Sequence, residues 1–200
     1  AQAKTYLGFS VQNQSQVQSA ALSELLAAPV STLLQSTTPA ERDLALDVAG
    51  RYRIVNARDA AAKLVTDDAT DATLKLVIKV LETDPAKSEP LLLKMVSNKN
   101  FGFDIRAAAL GSLAKANPAK ARQAAAQWLP TLNESEKKDL ATVLSSSPQG
   151  AGLLLALHEK KQLSLSAFDL PAAERIAGAT KNDARSSAIM NGVKQREETK

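Results

Sequence analysis

A basic residue recurs along this chain at nearly constant spacing: Arg42, Lys75, Arg106 and Lys138 stand 33, 31 and 32 residues apart. A second register keeps the same beat. The blocks Ala61-Ala62-Lys63-Leu64-Val65, Leu92-Leu93-Lys94-Met95-Val96, Ala125-Ala126-Gln127-Trp128-Leu129 and Leu154-Leu155-Ala156-Leu157-His158 start 31, 33 and 29 residues apart. A period of this length marks a solenoid, in which each short unit cannot bury its apolar face alone and stacks on its neighbours. The continuous period predicts one repeat domain over residues 15–194, with an irregular arm or linker over 1–14 and a charged tail over 195–200.

Composition selects helices as the repeating element. The chain is 44% hydrophobic but only 4% aromatic, and alanine and leucine supply most of the apolar mass. Small residues let helices approach closely while leucine fills the space between them. A β-sandwich draws instead on β-branched and aromatic residues. No apolar stretch reaches the length of about 18 residues that a membrane span needs. The chain has no cysteine, which excludes disulfides, thiolate metal ligands and cysteine nucleophiles within it. The net charge of +4 is a small excess of 25 basic over 21 acidic residues. The only basic runs, Lys137-Lys138 and Lys160-Lys161, have acidic neighbours, whereas a nucleic-acid footprint gathers its charge on one face. No nucleic-acid partner is expected. The chain opens Ala1-Gln2-Ala3 and closes Arg196-Glu197-Glu198-Thr199-Lys200 without a helix stop, which reads as a piece of a longer polypeptide.

Helix signals follow one another with short gaps. Ser15 can cap a helix carrying Val17, Ala21, Leu22, Leu25 and Leu26, which Pro29 ends. Thr38-Pro39-Ala40-Glu41 starts the next, with Leu44, Ala45, Val48 and Ala49 turned inward. A short helix over 57–64 precedes one over Asp71–Leu81, where Leu74, Val77, Ile78 and Leu81 form a stripe at helical spacing. Helices then follow over Ser88–Val96 with Pro90 in the first turn, from an Asp104 cap to Lys115, and from Asn117-Pro118 to Leu129. The last ones cover Glu134–Leu144, Gln149–Lys160, Ala172–Ala177 and Asp183–Lys194.

Residues with chemical potential each have a structural reading beside the functional one. His158 is the single histidine, ending an apolar helix; one imidazole with no histidine or cysteine partner reads as a partly exposed helix-end residue rather than a metal ligand or general base. No serine sits in a Gly-x-Ser-x-Gly turn, so a hydrolase triad has no support. Gly150-Ala151-Gly152 lacks the strand and the Gly-Lys-Ser/Thr of a phosphate loop and reads as a close helix contact. Asp67-Asp68-Ala69-Thr70-Asp71 lacks the glycine and distal glutamate of a calcium loop and reads as a turn with Thr70 or Asp71 as cap. Trp128 shares a register position with Leu64 and Met95 and is expected in the core. Phe101-Gly102-Phe103 puts two aromatics in a loop, to plug an adjacent groove or to anchor a partner. Arg42, Lys75, Arg106 and Lys138 are expected to bond carbonyls or acids of neighbouring repeats, or to line a partner-binding face. No residue is assigned to catalysis, a cofactor or a metal.

The segment Asp104-Ile105-Arg106-Ala107-Ala108-Ala109-Leu110-Gly111-Ser112-Leu113 resembles the first helix of a HEAT unit. That resemblance implies an all-α fold, a right-handed α–α superhelix of about four to five helix pairs. It also implies that Asp104 caps its helix and that Arg106 lies along the groove between repeats. Lys75 and Lys138 stand where that family has arginine, and only Asp71 repeats the cap. Helical repeats of this kind in DNA glycosylases bind DNA on the concave face, but this chain carries one tryptophan and few basic clusters.

A second resemblance lies near the C-terminus. Gly152-Leu153-Leu154-Leu155-Ala156-Leu157-His158-Glu159-Lys160-Lys161-Gln162-Leu163-Ser164, then Phe168, Ala173-Glu174-Arg175-Ile176 and Asn182-Asp183-Ala184-Arg185, is similar to the last HEAT units of planctomycete-type haem-binding proteins. These join a dehydrogenase-like propeller, a helical-repeat segment and a c-type cytochrome domain. In this chain Asp183 and Arg185 stand one residue closer than in the family pattern. Without a Cys-x-x-Cys-His the segment attaches no haem itself. The resemblance implies a non-enzymatic connector, secreted or periplasmic, whose partners are flanking domains of one polypeptide. The other reading is a stand-alone HEAT-like module that binds a protein or peptide.

Overall fold

The computed structural model describes residues 16–181 and 183–199, and among them every regular element is helical. The arm expected over 1–14 and the Ser15 cap lie outside the described residues. Contacts gather into two compact units, one ending at Asp84 and one starting at Pro85, where the period predicts a single domain.

The first unit holds α1 (Gln16–Leu34), α2 (Pro39–Arg51), a 3-10 turn (Val55–Ala57), α3 (Arg58–Ala62) and α4 (Asp71–Leu81). Helix α1 does not stop at Pro29 but carries it inside. The proline has no N–H to give the Leu25 carbonyl, and this break in the ladder falls at an exposed residue. Past the proline, Val30 and Leu34 are buried and hold the continuation in place. Thr38 occupies the cap position of α2 without a side-chain bond. Ser36 braces the turn before the helix: its hydroxyl accepts from the Thr38 amide at 3.0 Å and donates to Glu41. Leu44, expected inside, is 57% exposed, while Leu46 is fully buried beside Ala45 and Ala49. At 3.6 residues per turn Leu44 lies roughly 200° round from Leu46, so α2 shows one or the other to α1 and α4, never both. On α4 the expected stripe is the buried one, Leu74, Val77, Ile78 and Leu81. Its cap is Thr70, whose hydroxyl accepts from the Thr73 amide at 3.2 Å.

The second unit runs α5 (Pro85–Ser97), α6 (Phe103–Ala116), α7 (Pro118–Trp128), a 3-10 turn (Leu129–Thr131), α8 (Glu134–Leu144) and α9 (Pro148–Glu159). A further 3-10 turn (Leu165–Ala167), α10 (Leu170–Ala179) and α11 (Ala184–Glu198) complete it. Caps are local and readable: Asn117, Asn133, Ser147, Asp169 and Asp183 each accept a backbone N–H of their own first turn. Asn133 and Glu136 form a reciprocal capping box. Two starts differ from expectation. Helix α5 begins at Pro85 and carries Pro90 inside, and α6 begins at Phe103 with Gly102 as its cap, leaving Asp104 in the first turn. Helix α11 continues through residues 195–198, which belong to it rather than to a tail.

Packing in this unit is between near neighbours in sequence. Helix α5 contacts α6 and α7; α6 contacts α8 and α9 as well as α7; α9 contacts α7, α8 and α10; α10 contacts α11. Several side chains tie elements about one sequence period apart. Thr73 Oγ1 donates to Asp43 across 30 residues at 2.8 Å in the first unit. In the second, Asn117 and Lys120 reach Glu89 across 28 and 31 residues, and Arg175 reaches Ser145 across 30. Arg196 donates to the carbonyls of Leu165 and Phe168, 31 and 28 residues back. The two registers fall on alternate helices: Arg42, Lys75, Arg106 and Lys138 lie on α2, α4, α6 and α8, and the apolar blocks lie near the ends of α3, α5, α7 and α9.

Candidate functional site

Helix α6 begins in the turn Phe101-Gly102-Phe103. Phe101 is only 7% exposed, so it plugs the packing around it and is not a free anchor. Phe103, half-buried, sets its ring 5.6 Å from that of Trp128 at a tilt of 42°. One helical turn later Arg106 follows on the same face, because residues three apart are surface neighbours. Trp128 is the last residue of α7 and is buried, as its register position predicts.

Arg106 is held from two sides. Its Nε donates to the Val96 carbonyl at 2.8 Å, one of the last-turn carbonyls of α5 that have no partner inside their own helix. Its Cζ lies 4.3 Å from the Trp128 ring centroid, a cation–π arrangement. Burial pushes the guanidinium below its ordinary value, and the charge of Glu136 works in the opposite direction. Arginine stays protonated at any physiological pH, so the shift reports partial desolvation of a fixed charge. The Nε and the ring contact leave the terminal Nη groups uncommitted.

These residues border a cleft of about 420 Å³. Arg106, Lys99 and Gln127 supply its polar groups, Val96, Ala124 and Trp128 its apolar wall, and no carboxylate lines it among the described residues. The hydroxyls of Ser97 and Thr131 also border it, but they spend their protons on the carbonyls of Leu93 and Trp128. Glu136 spends its carboxylate on the Asn133 amide at 2.8 Å. The Trp128 Nε1–H is buried with no acceptor.

The remaining basic positions do not join this group. Arg42 donates to the carbonyls of Ser36 and Thr37 in the turn before its own helix, at 2.9 and 3.1 Å. Lys75 and Lys138 are exposed on α4 and α8. Of the expected partner-binding residues the structure therefore brings together Phe103 and Arg106. Sequence reasoning passes over Lys99, Gln127 and the cleft-side role of Trp128. Trp128 carries a weak signal, as the only tryptophan at a register position otherwise leucine or methionine; a lysine in a polar turn carries none.

The other chemistry-bearing residues have structural roles. His158 Nδ1 lies 2.9 Å from the Leu163 carbonyl, so that nitrogen is the donor, and the ring meets Phe168 edge-on at 5.6 Å. A Cβ on Gly150 would collide with the Leu144 carbonyl at the end of α8, so this glycine permits the close helix approach, while Gly152 has nothing near it. Asp68 is exposed and held below its ordinary value by the Thr66 hydroxyl. No group of three or more histidines, aspartates or glutamates is placed to hold a metal among the described residues. None of their helices is long and apolar enough to cross a membrane. No known protein family, characterised protein or solved structure matches the chain.

Proposed function

We propose that this chain is a non-catalytic helical-repeat scaffold, a HEAT-like right-handed superhelix of about four to five helix pairs that presents its surface to polypeptide partners. The observation that carries the reading is the set of hydrogen bonds one period apart, among them Asp43–Thr73, Glu89–Lys120 and Ser145–Arg175. A residue and its equivalent one repeat later touch when repeats stack in register. The near-neighbour packing of α5 through α11 supports the same reading.

In its connector form the scaffold lies inside a larger secreted or periplasmic polypeptide and holds an oxidising domain relative to an electron acceptor, as its C-terminal resemblance implies. Mass measurement of the natural polypeptide, with sequence read past Lys200, tests this. A longer product carrying Cys-x-x-Cys-His beyond the segment supports the connector, and a product ending at Lys200 overturns it. The second reading, a stand-alone module that binds a peptide, is favoured by the cationic cleft beside Arg106 and Trp128.

A further inference from the structure

We propose that the cleft between α5, α6 and α7 is a recognition site for a carboxylate on an extended polypeptide, with the Arg106 guanidinium as its receptor and Lys99 as an auxiliary charge. The proposal rests on the scaffold reading for the ligand being a polypeptide.

The guanidinium is pre-positioned. Its Nε is fixed to the Val96 carbonyl and its plane is backed by the Trp128 ring. An arginine held this way has surrendered most of its rotamer freedom in the folded protein, so little remains to lose on binding. What it offers outward is the pair of Nη groups, a fork that matches the two oxygens of a carboxylate. No carboxylate lines the cleft among the described residues, and Glu136, whose charge the guanidinium feels, sets one oxygen on the Asn133 amide in its capping box.

The walls select the class of ligand. A volume of about 420 Å³ exceeds what a bare carboxylate fills and suits one or two residues of a peptide. Val96, Ala124 and Trp128 give those residues an apolar surface, while Gln127 can donate to or accept from their backbone. A single fixed guanidinium with one flexible lysine answers a monoanion. A phosphate, with up to two charges and three acceptor oxygens, is matched by clustered cations and backbone N–H groups, neither of which this cleft concentrates.

Trp128 is the only tryptophan in the chain and forms the floor beneath Arg106, so its fluorescence reports the site directly. The full chain is titrated with four forms of one neutral hexapeptide: free C-terminal carboxylate, C-terminal amide, amide with one internal aspartate, and amide with one phosphoserine. Saturable quenching or shift with the free acid and not the plain amide identifies a terminal carboxylate as ligand. The same response with the aspartate peptide identifies a side-chain carboxylate, and either result supports the site. Arg106→Gln should weaken that binding about tenfold or more, and Arg106→Lys, which keeps the charge but loses the fork, about fivefold. Lys99→Gln should weaken it about two- to threefold. Arg122→Gln, on the separate basic hollow beside Lys120 and Lys160, should change nothing.

Equal responses to acid and plain amide, a response to the phosphoserine peptide alone, or no response at all overturns the proposal. So does unchanged binding in Arg106→Lys, a variant that retains the positive charge over Trp128. Circular dichroism and melting of the same samples separate this failure from failure of the scaffold: a cooperatively folded helical protein that binds none of the carboxylate peptides loses the site but keeps the scaffold.

Discussion

Trp128 shows how one residue joins core packing to the wall of a cleft. It is 3% exposed, meets Phe103 and lies beneath Arg106, yet its indole N–H has no acceptor. Its contribution to stability is therefore packing without a hydrogen bond. Trp128→Ala should cost about 3–5 kcal/mol, and Trp128→Phe, which keeps most of the ring contact and loses no bond, less than about 1.5 kcal/mol. Urea denaturation curves of the two variants check the contrast. Three other residues carry backbone strain: Arg53, Lys161 and Lys181 have φ of 53°, 57° and 54° just past helix ends. After α9 the amide of Gln162 bonds the Leu157 carbonyl at 2.9 Å, the closing bond of a left-handed helix stop. A side chain in that conformation is disfavoured, whereas glycine adopts it freely. Lys161→Gly should accordingly stabilise the protein by about 0.5–1 kcal/mol, read as a higher urea midpoint at unchanged slope.

Between elements, stability depends on close approach and on ties at one-repeat spacing. Gly150 lets the start of α9 sit against the end of α8, where any Cβ would strike the Leu144 carbonyl. Backbone cannot yield as a flexible side chain does, so Gly150→Ala should cost about 1–3 kcal/mol despite the better helix propensity of alanine. Thermal unfolding of this variant against Gly152→Ala, which meets nothing, isolates the contact. Glu89 supplies a tie of another kind. The Lys120 ammonium, then the Asn117 amide, hold its carboxyl below the usual glutamate range. A lowered folded-state value means that the tie contributes fully above the unfolded glutamate value of about 4.3 and is lost as pH falls through the folded one. Glu89→Gln should flatten the fall in melting temperature below that pH and lower the neutral-pH value by a matching, small amount, since the Lys120 end of the pair is solvent-screened.

For the molecule as a whole, the division at Asp84 and Pro85 predicts more than one folding unit. A chain of Pro85–Lys200 should be helical and melt cooperatively on its own, because α5 through α11 are tied by their own neighbours. Circular dichroism of that fragment checks this; a non-cooperative helical signal would show that the first unit is needed. The acid response also belongs to the whole chain. Glu89, Glu134 and Asp183 are all held below their ordinary values, by Lys120, by Lys137 and by the Ser186 amide respectively. All three shifts have the same sign, so stability declines together as pH drops below about 4 and is flat from there to neutrality on their account.

Much of this was legible along the sequence because its causes are local. Caps such as Thr70, Asn117, Asn133 and Asp183, the stripe of α4 and the two registers of 29–33 residues can be read along the chain alone. The misread positions are those where a distant partner outvotes a local rule. Pro29 and Pro90 stay inside helices because packing along those helices outweighs one lost backbone bond, and Leu44 yields the core to Leu46 because α1 and α4 choose the buried face of α2. The period itself placed Arg106 one turn into its helix and Trp128 at the end of the next, but not beside each other. Only the tertiary structure set a guanidinium over an indole at the border of a cleft, since that juxtaposition joins residues 22 positions apart through the packing of three helices.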